Sequence, residues 1–204
     1  MNNFIFHIPT RVYFGKGEIR ALSGELEKSA RRALIVTGRG SVKKYGIWRD
    51  LMRQVKKTKV KWWELSGIYP NPHLEEVKEG VRLCRAEKID FILGVGGGSV
   101  IDSAKAISAG AVYKGDVWDF FTRRAQVEKG LPVGTVLTNA AAGSELNGNM
   151  VITRTDTRQK LALGTEILRP VFSILDPAYT FSVSPFHTAC GVVDFYERYA
   201  VLGT

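Results

Sequence analysis

The chain has 204 residues, 45% hydrophobic and 24% charged, with a formal net charge of +9. That length allows one substantial core, and the composition is that of a globular chain, not a disordered one. No apolar run approaches the roughly 18–20 residues that span a bilayer, which leaves no membrane partner, and MNNFIFHIPTRVYF lacks the basic segment and cleavage site of a secretory leader, so the expected location is cytoplasmic.

Two cysteines, Cys84 and Cys190, are too few for a disulfide framework or a zinc cluster and are expected to be small buried hydrophobes. The charge is unevenly spread. Between Lys28 and Lys61 stand twelve Lys or Arg and a single acid, Asp50. No helix-turn-helix, aromatic platform or zinc-finger pattern accompanies this block. It reads first as a solvated face, then as an attraction for an anionic cofactor, and last as a nucleic-acid surface.

From Arg31 onward short apolar runs alternate with amphipathic segments, which predicts an α/β fold with a mostly parallel sheet flanked by helices. RALIVTG (32–38) reads as a buried strand, followed by a helix from about Val42 to Lys57 and a strand over 59–66. A Pro-Asn-Pro turn at 70–72 then opens a helix with apolar spacing at Leu74, Val77, Val81 and Cys84. IDFILGV (89–95) is a third strand that runs into GGGS and another helix, and 131–138 is a fourth strand. Residues 149–166 predict an antiparallel hairpin around RTDTRQ, and 172–177 a further strand. A last helix starts with Ser184 as cap and Pro185 at its first position. Composition shifts near residue 182, where a domain boundary is placed.

Three turns carry chemistry. In GVGGGSVIDSAKA (94–106), Gly96, Gly97 and Gly98 join a buried strand to a helix beginning near Ser99. Glycine lets a ligand approach the backbone, and the free N–H groups of a helix start favour phosphate. Ser99 either caps that helix or donates to the same anion; the alternative is a tight turn without a ligand. In TGRGSVKK (37–44), the strand end offers Gly38, Arg39, Gly40 and Ser41 and no carboxylate, which favours the 2′-phosphate of NADP over the free ribose of NAD. Here the alternative is a left-handed turn with an exposed arginine. The third turn, TNAAAGSELNGN (138–149), has small side chains against which a flat ring can lie, with Thr138 and Ser144 as hydrogen-bonding groups. Glu145 could cap a helix or accept from a ribose hydroxyl, and the composition also fits a merely flexible loop.

FGKGEI (14–19), PNP (70–72), GVGGGSVIDSAKAI (94–107), TNAAAGSELNGNMVIT (138–153), Lys160, LDP (175–177) and TACGVVD (188–194), in this order, resemble the iron-containing, or group III, alcohol dehydrogenase family, in particular its butanol dehydrogenase-like branch. The resemblance implies an N-terminal Rossmann-like domain that binds NAD(P), over 1–182, and the first helix, 183–204, of an all-helical domain that holds a divalent metal, iron or sometimes zinc. By the same resemblance Gly97, Gly98, Ser99 and Asp102 contact the pyrophosphate and its surroundings. Thr138, Asn139, Ser144, Val151, Lys160 and Leu175 line the nicotinamide and ribose sites, and Asp194 is the first metal ligand. The implied reaction is reversible hydride transfer between a small alcohol and its aldehyde or ketone, and the expected assembly is a homo-oligomer.

One departure stands out. The family's ligand histidine, four positions after the aspartate, is replaced by Arg198, which has no lone pair for a metal. In an alternative alignment of ERYA (197–200) a short deletion removes that histidine. His7, His73 and His187 are expected in structural or incidental roles, and a pairing of His187 with Asp194 gives at most a weak, exchangeable site. The expectation is therefore a truncated, catalytically impaired dehydrogenase with no assigned catalytic residue, no stably bound metal and a retained dinucleotide site. A non-catalytic, self-associating protein, with apolar surface at Val192, Phe195, Tyr196 and Val201, is the second expectation.

Overall fold

The structure, a computed structural model, describes the backbone of residues 7–200 and the side chains of residues 7–193. Its strands in chain order are β1 Arg11–Phe14, β2 Arg32–Gly38, β3 Lys61–Ile68, β4 Phe91–Gly96, β5 Val133–Leu137, β6 Asn149–Arg154, β7 Gln159–Gly164 and β8 Phe172–Leu175. Six of them form one sheet in the order β1-β8-β5-β4-β2-β3, with every neighbouring pair parallel. The remaining two, β6 and β7, make the expected antiparallel hairpin.

The helices are α1 Leu22–Ser29, α2 Ser41–Lys44, α3 Ile47–Val55, α4 Leu74–Ala86, α5 Gly98–Val112, α6 Trp118–Phe121 and α7 Pro185–Ala200. Strand alternation sends β2 side chains to both faces of the sheet. Leu34 and Val36 pack with Val77 and Val81 of α4 and Ile107 of α5. Ala33 and Ile35 pack with Leu22 and Leu26 of α1 and Leu51 and Val55 of α3. Because both faces are covered, β4 and β5 are buried along their whole length, as parallel strands between helix layers must be. Among the described residues no helix is long and apolar enough to cross a membrane.

Four details differ from the sequence expectation. The helix predicted over 42–57 is two helices, because Gly46 between α2 and α3 adopts a left-handed φ of 78°. The segment before Arg31 forms β1, a 3-10 turn at Glu18–Ala21 and α1, none of which showed a long apolar period. It is tied down by Glu25, buried on α1, which accepts from Arg11 at 2.8 Å and from the Tyr13 hydroxyl at 2.7 Å. Cys84 is buried as expected, but Cys190 is exposed on α7, where the described neighbours do not cover it. Finally, Gly97 rather than Ser99 caps α5. The helix at 185 does start as read: the Ser184 hydroxyl accepts from the His187 N–H at 3.3 Å.

Candidate functional site

All six sheet strands point their carboxyl ends to one edge. From β2 the chain winds outward to β3, whereas from β4 it winds the other way, to β5 and then β8. The connections after β2 and β4 therefore diverge, and such a switch point leaves a crevice beyond the strand ends. Both glycine-bearing turns read from the sequence flank it. A Cβ on Gly38 would lie 3.6 Å from Cγ2 of Val100, so the two turns lie close together.

The three glycines of the second turn have different roles. None takes a positive φ, so what matters is the missing Cβ. At Gly96 a Cβ would meet Cγ2 of Val100 at 2.6 Å, so this glycine serves strand-to-helix packing. One on Gly97 would touch Cβ of Asn139 at 3.4 Å, whereas at Gly98 no described atom lies within 4 Å. Gly98 thus opens onto free space at the first turn of α5, a 15-residue helix whose start has no side-chain cap and no acidic residue. Exposed N–H groups and a positive dipole end, with backbone accessible on one side, make an anion cradle. Ser99 is partly exposed in the same turn, and its carbonyl accepts from Ser103 Oγ at 3.0 Å.

The turn at 38–41 is held open by Gly40, with φ 133°. Arg39 is exposed, and its guanidinium lies 4.4 Å over the ring of Tyr69, which in turn stacks on His73 at 4.9 Å. Ser41 is exposed at the start of α2. A carboxylate that the reading of this turn missed comes from the adjacent strand. Glu64 of β3 pairs with Lys43 at 2.8 Å and accepts from the Thr37 hydroxyl at 3.3 Å. It was invisible as a neighbour because strand pairing, not sequence distance, places it there.

The loop 138–149 starts against the anion cradle. Its Thr138 N–H donates to the Gly96 carbonyl at 3.0 Å, and Asn139 lies beside Gly97. Further along, Ser144 is buried, its hydroxyl donating to Asp102 Oδ1 at 2.6 Å. The other Asp102 oxygen accepts from the Val151 N–H at 3.0 Å. The Asp102 and Ser144 side chains thus hold the loop and the hairpin to α5, and those contacts occupy the Ser144 hydroxyl and both carboxylate oxygens. Burial pushes the Asp102 carboxyl above the ordinary carboxylate range, against the Ser144 and Val151 bonds that favour its charge. Glu145 is buried on the same loop, with its carboxyl raised by burial, and caps no helix.

Lys105 was not singled out from the sequence. It is fully buried on α5, and its ammonium donates to the Ser144 carbonyl at 2.6 Å and the Asn149 carbonyl at 2.9 Å. The signal was available: a lysine seven positions into a helix whose other faces are apolar has nowhere to go except a polar partner.

Of the remaining predicted residues, Leu175 ends β8 on the same sheet edge, and its carbonyl accepts from the Gly15 N–H at 3.1 Å. Lys160 is exposed on β7 and donates to Asn71 Oδ1 of the Pro-Asn-Pro turn at 2.7 Å. Gly191 of α7 sits so close to the loop that a Cβ there would be 2.7 Å from the Ala140 carbonyl oxygen. Asp194 lies on the same helix, but its side chain falls outside the described residues, as do those of Phe195, Tyr196 and Arg198. Among the described residues no three His, Cys, Asp or Glu side chains gather to hold a metal.

The sequence model of the iron-containing alcohol dehydrogenase family matches residues 9–177. The chain is 45% identical, over 98% of its length, to the probable NADH-dependent butanol dehydrogenase 1 of Bacillus subtilis (strain 168), of which it covers 52%. It is 42% identical, over 96% of its length, to the NADPH-dependent aldehyde reductase YqhD of Escherichia coli (strain K12), of which it covers 51%. Among solved structures, the NADH-dependent butanol dehydrogenase A of Thermotoga maritima superposes with a TM-score of 0.92 at 45% identity, over 95% of this chain and 49% of that one. The chain thus spans about half the length of the curated relatives it matches.

Proposed function

The chain belongs to the iron-containing alcohol dehydrogenase family, and on that premise we propose that residues 1–182 bind NADP or NAD and orient it for hydride exchange between a small alcohol and its aldehyde or ketone. The observation that carries this reading is Gly98, facing open space at the uncapped start of α5, at the switch point of the sheet. Gly97, Gly98 and Ser99 hold the pyrophosphate, while Thr138, Asn139 and Leu175 line the path toward the nicotinamide. Asp102, Ser144 and Val151 hold the walls of that path to α5, and Lys160 on the hairpin faces the ribose side. The turn formed by Gly38, Arg39, Gly40 and Ser41 takes the adenosine end. NADP is preferred because Arg39 is free to meet a 2′-phosphate, whereas Glu64, the carboxylate nearby, is already paired with Lys43. Named relatives use NADH or NADPH, so the turn itself must decide.

A coenzyme bound here supplies the hydride. What these residues contribute is binding, orientation and closely packed walls. No step is assigned to a metal. Arg198, which has no lone pair for a metal, stands where the resemblance expects the ligand that follows Asp194. We therefore propose that this stretch of chain binds the coenzyme but oxidises alcohols slowly or not at all.

The test is calorimetric titration with NADPH and NADH, for the parent and for Gly98→Ala. A methyl group at Gly98 meets no neighbour among the described residues. It should raise thermal stability slightly, as replacing glycine in a helix by alanine gains up to about 1 kcal/mol, and weaken coenzyme binding roughly tenfold by blocking backbone approach. No binding of either coenzyme by the parent overturns the reading.

A second reading, self-association, is favoured by Phe181 at 83% and Phe186 at 72% exposure, with Val192 and Val193 also exposed beside them. A homo-oligomer built through this face borders the coenzyme site, because Val192 lines a pocket together with Asn139 and Ala140.

A further inference from the structure

Lys105 is used by no step above, yet it is among the most completely enclosed side chains of the protein, at 0% exposure. Burying an ammonium costs several kcal/mol unless every donor is satisfied, and a methionine of similar volume would fill the same space without that cost. The return is connectivity. Its Nζ donates to the Ser144 carbonyl at 2.6 Å, the Ser144 hydroxyl oxygen at 2.9 Å, the Asn149 carbonyl at 2.9 Å and Asn147 Oδ1 at 3.3 Å. Asp102, one turn earlier on α5, holds the Ser144 hydroxyl proton and the Val151 N–H. From the sheet side the Ser173 hydroxyl donates to the Glu145 carbonyl at 2.6 Å. Two side chains of the very helix whose first turn forms the anion cradle thus hold residues 144–151 from one side, Ser173 and Arg169 hold them from the other, and the same loop begins beside Gly96 and Gly97.

We propose that Lys105 is a positioning residue for the coenzyme: without touching it, the ammonium fixes the 138–149 loop relative to the start of α5, so that both walls of the cleft are set before binding. The inference rests on the dinucleotide reading. The charged groups facing the ammonium are Asp102 on α5, Glu145 on the loop and Arg169 after the 3-10 turn that precedes β8. They leave the site polar but balanced, and burial lowers the ammonium to about 8. Prearranged walls matter because ordering a loop on binding subtracts from affinity.

The experiment compares the full chain with Lys105→Met and Ser144→Ala, each held well below its unfolding temperature. Calorimetry with NADPH and NADH gives affinity, and the emission of bound dihydronicotinamide reports the ring's surroundings. Lys105→Met is expected to bind roughly tenfold more weakly and to lose the emission change, with far-UV dichroism unchanged. Affinity and emission equal to the parent's overturn the proposal even if stability falls, since a purely structural lysine would give that result. Should Lys105→Met fail to fold, Ser144→Ala decides. It removes the hydroxyl shared by Asp102 and Lys105, so weaker binding supports the proposal and parent-like binding overturns it. A parent that binds neither coenzyme instead refutes the dinucleotide reading itself.

Discussion

Arg39 and Lys105 mark the two extremes of what a cation can do beside the proposed nucleotide cleft. Arg39 is exposed and parked on the face of Tyr69, an arrangement worth about 0.5–1 kcal/mol at a surface. That is less than a charge-assisted contact with phosphate, at about 1.5–3 kcal/mol, so a 2′-phosphate can draw the guanidinium away. Arg39→Ala is therefore expected to weaken NADPH binding about tenfold or more and to leave NADH nearly unchanged; equal losses for both coenzymes in a titration would remove Arg39 from the choice between them. Lys105, with its ammonium lowered from the ordinary 10.5 to about 8, makes a prediction about stability. Between those values the unfolded chain binds more protons than the folded one, so stability rises with pH across that window, by at most about 1.4 kcal/mol per pH unit. Chemical denaturation from pH 7.5 to 9.5 should show this gain in the parent relative to Lys105→Met, and a constant difference between the two would contradict the burial of the charge. The glycine-bearing turns at the strand ends were legible as turns because their chemistry is local. Glu64 and Lys105 were not, since one reaches the site across a strand pair and the other through a loop 39 positions away.

The join of β4 to α5 shows how an element's sequence can serve packing and ligand at once. Val100 must seat against the end of β4, and only a residue without Cβ leaves room at Gly96. Gly96→Ala should destabilise the fold by about 1–3 kcal/mol, as overpacking does, a loss that thermal unfolding would register. The same change at Gly98, two positions on, should not. One motif therefore splits into a glycine needed by the fold and a glycine that the proposed coenzyme site needs, a division the run of three letters hides. The long periodic elements, α4 and α5, and the buried strands β2, β4 and β5 were read correctly because their apolar patterns are unbroken. The break between α2 and α3 was missed because its cause is a single left-handed glycine inside an otherwise helical pattern. The short β1 and α1 were missed because they are stabilised by partners from far along the chain, Phe172–Leu175 for β1, rather than by their own periodicity.

At the scale of the molecule, the described residues include an apolar surface on α7 and the turn before it, where Phe181, Phe186, Val192 and Val193 are all exposed. Light scattering at rising concentration should show self-association that a Phe181→Ser, Phe186→Ser double variant suppresses; a parent that stays monomeric at high concentration would set that surface aside. The net charge of +9 acts in the other direction at low salt, so association should strengthen as salt screens the repulsion.

The pairing of β1 with β8 carries a temporal consequence. Arg11 lies opposite Phe172, 161 positions later (172 − 11). At roughly 5–20 residues per second on a ribosome, the first strand waits on the order of ten seconds or more before its partner exists. Throughout that interval the hydrogen-bonding edge of β1 is unmatched, and its side chain Phe14 remains 74% exposed even in the finished protein. The central strands can assemble while synthesis proceeds, but the outermost strand on the β1 side can be added only after Leu175 has been made. A nascent chain of this design is most open to mispairing at its own beginning.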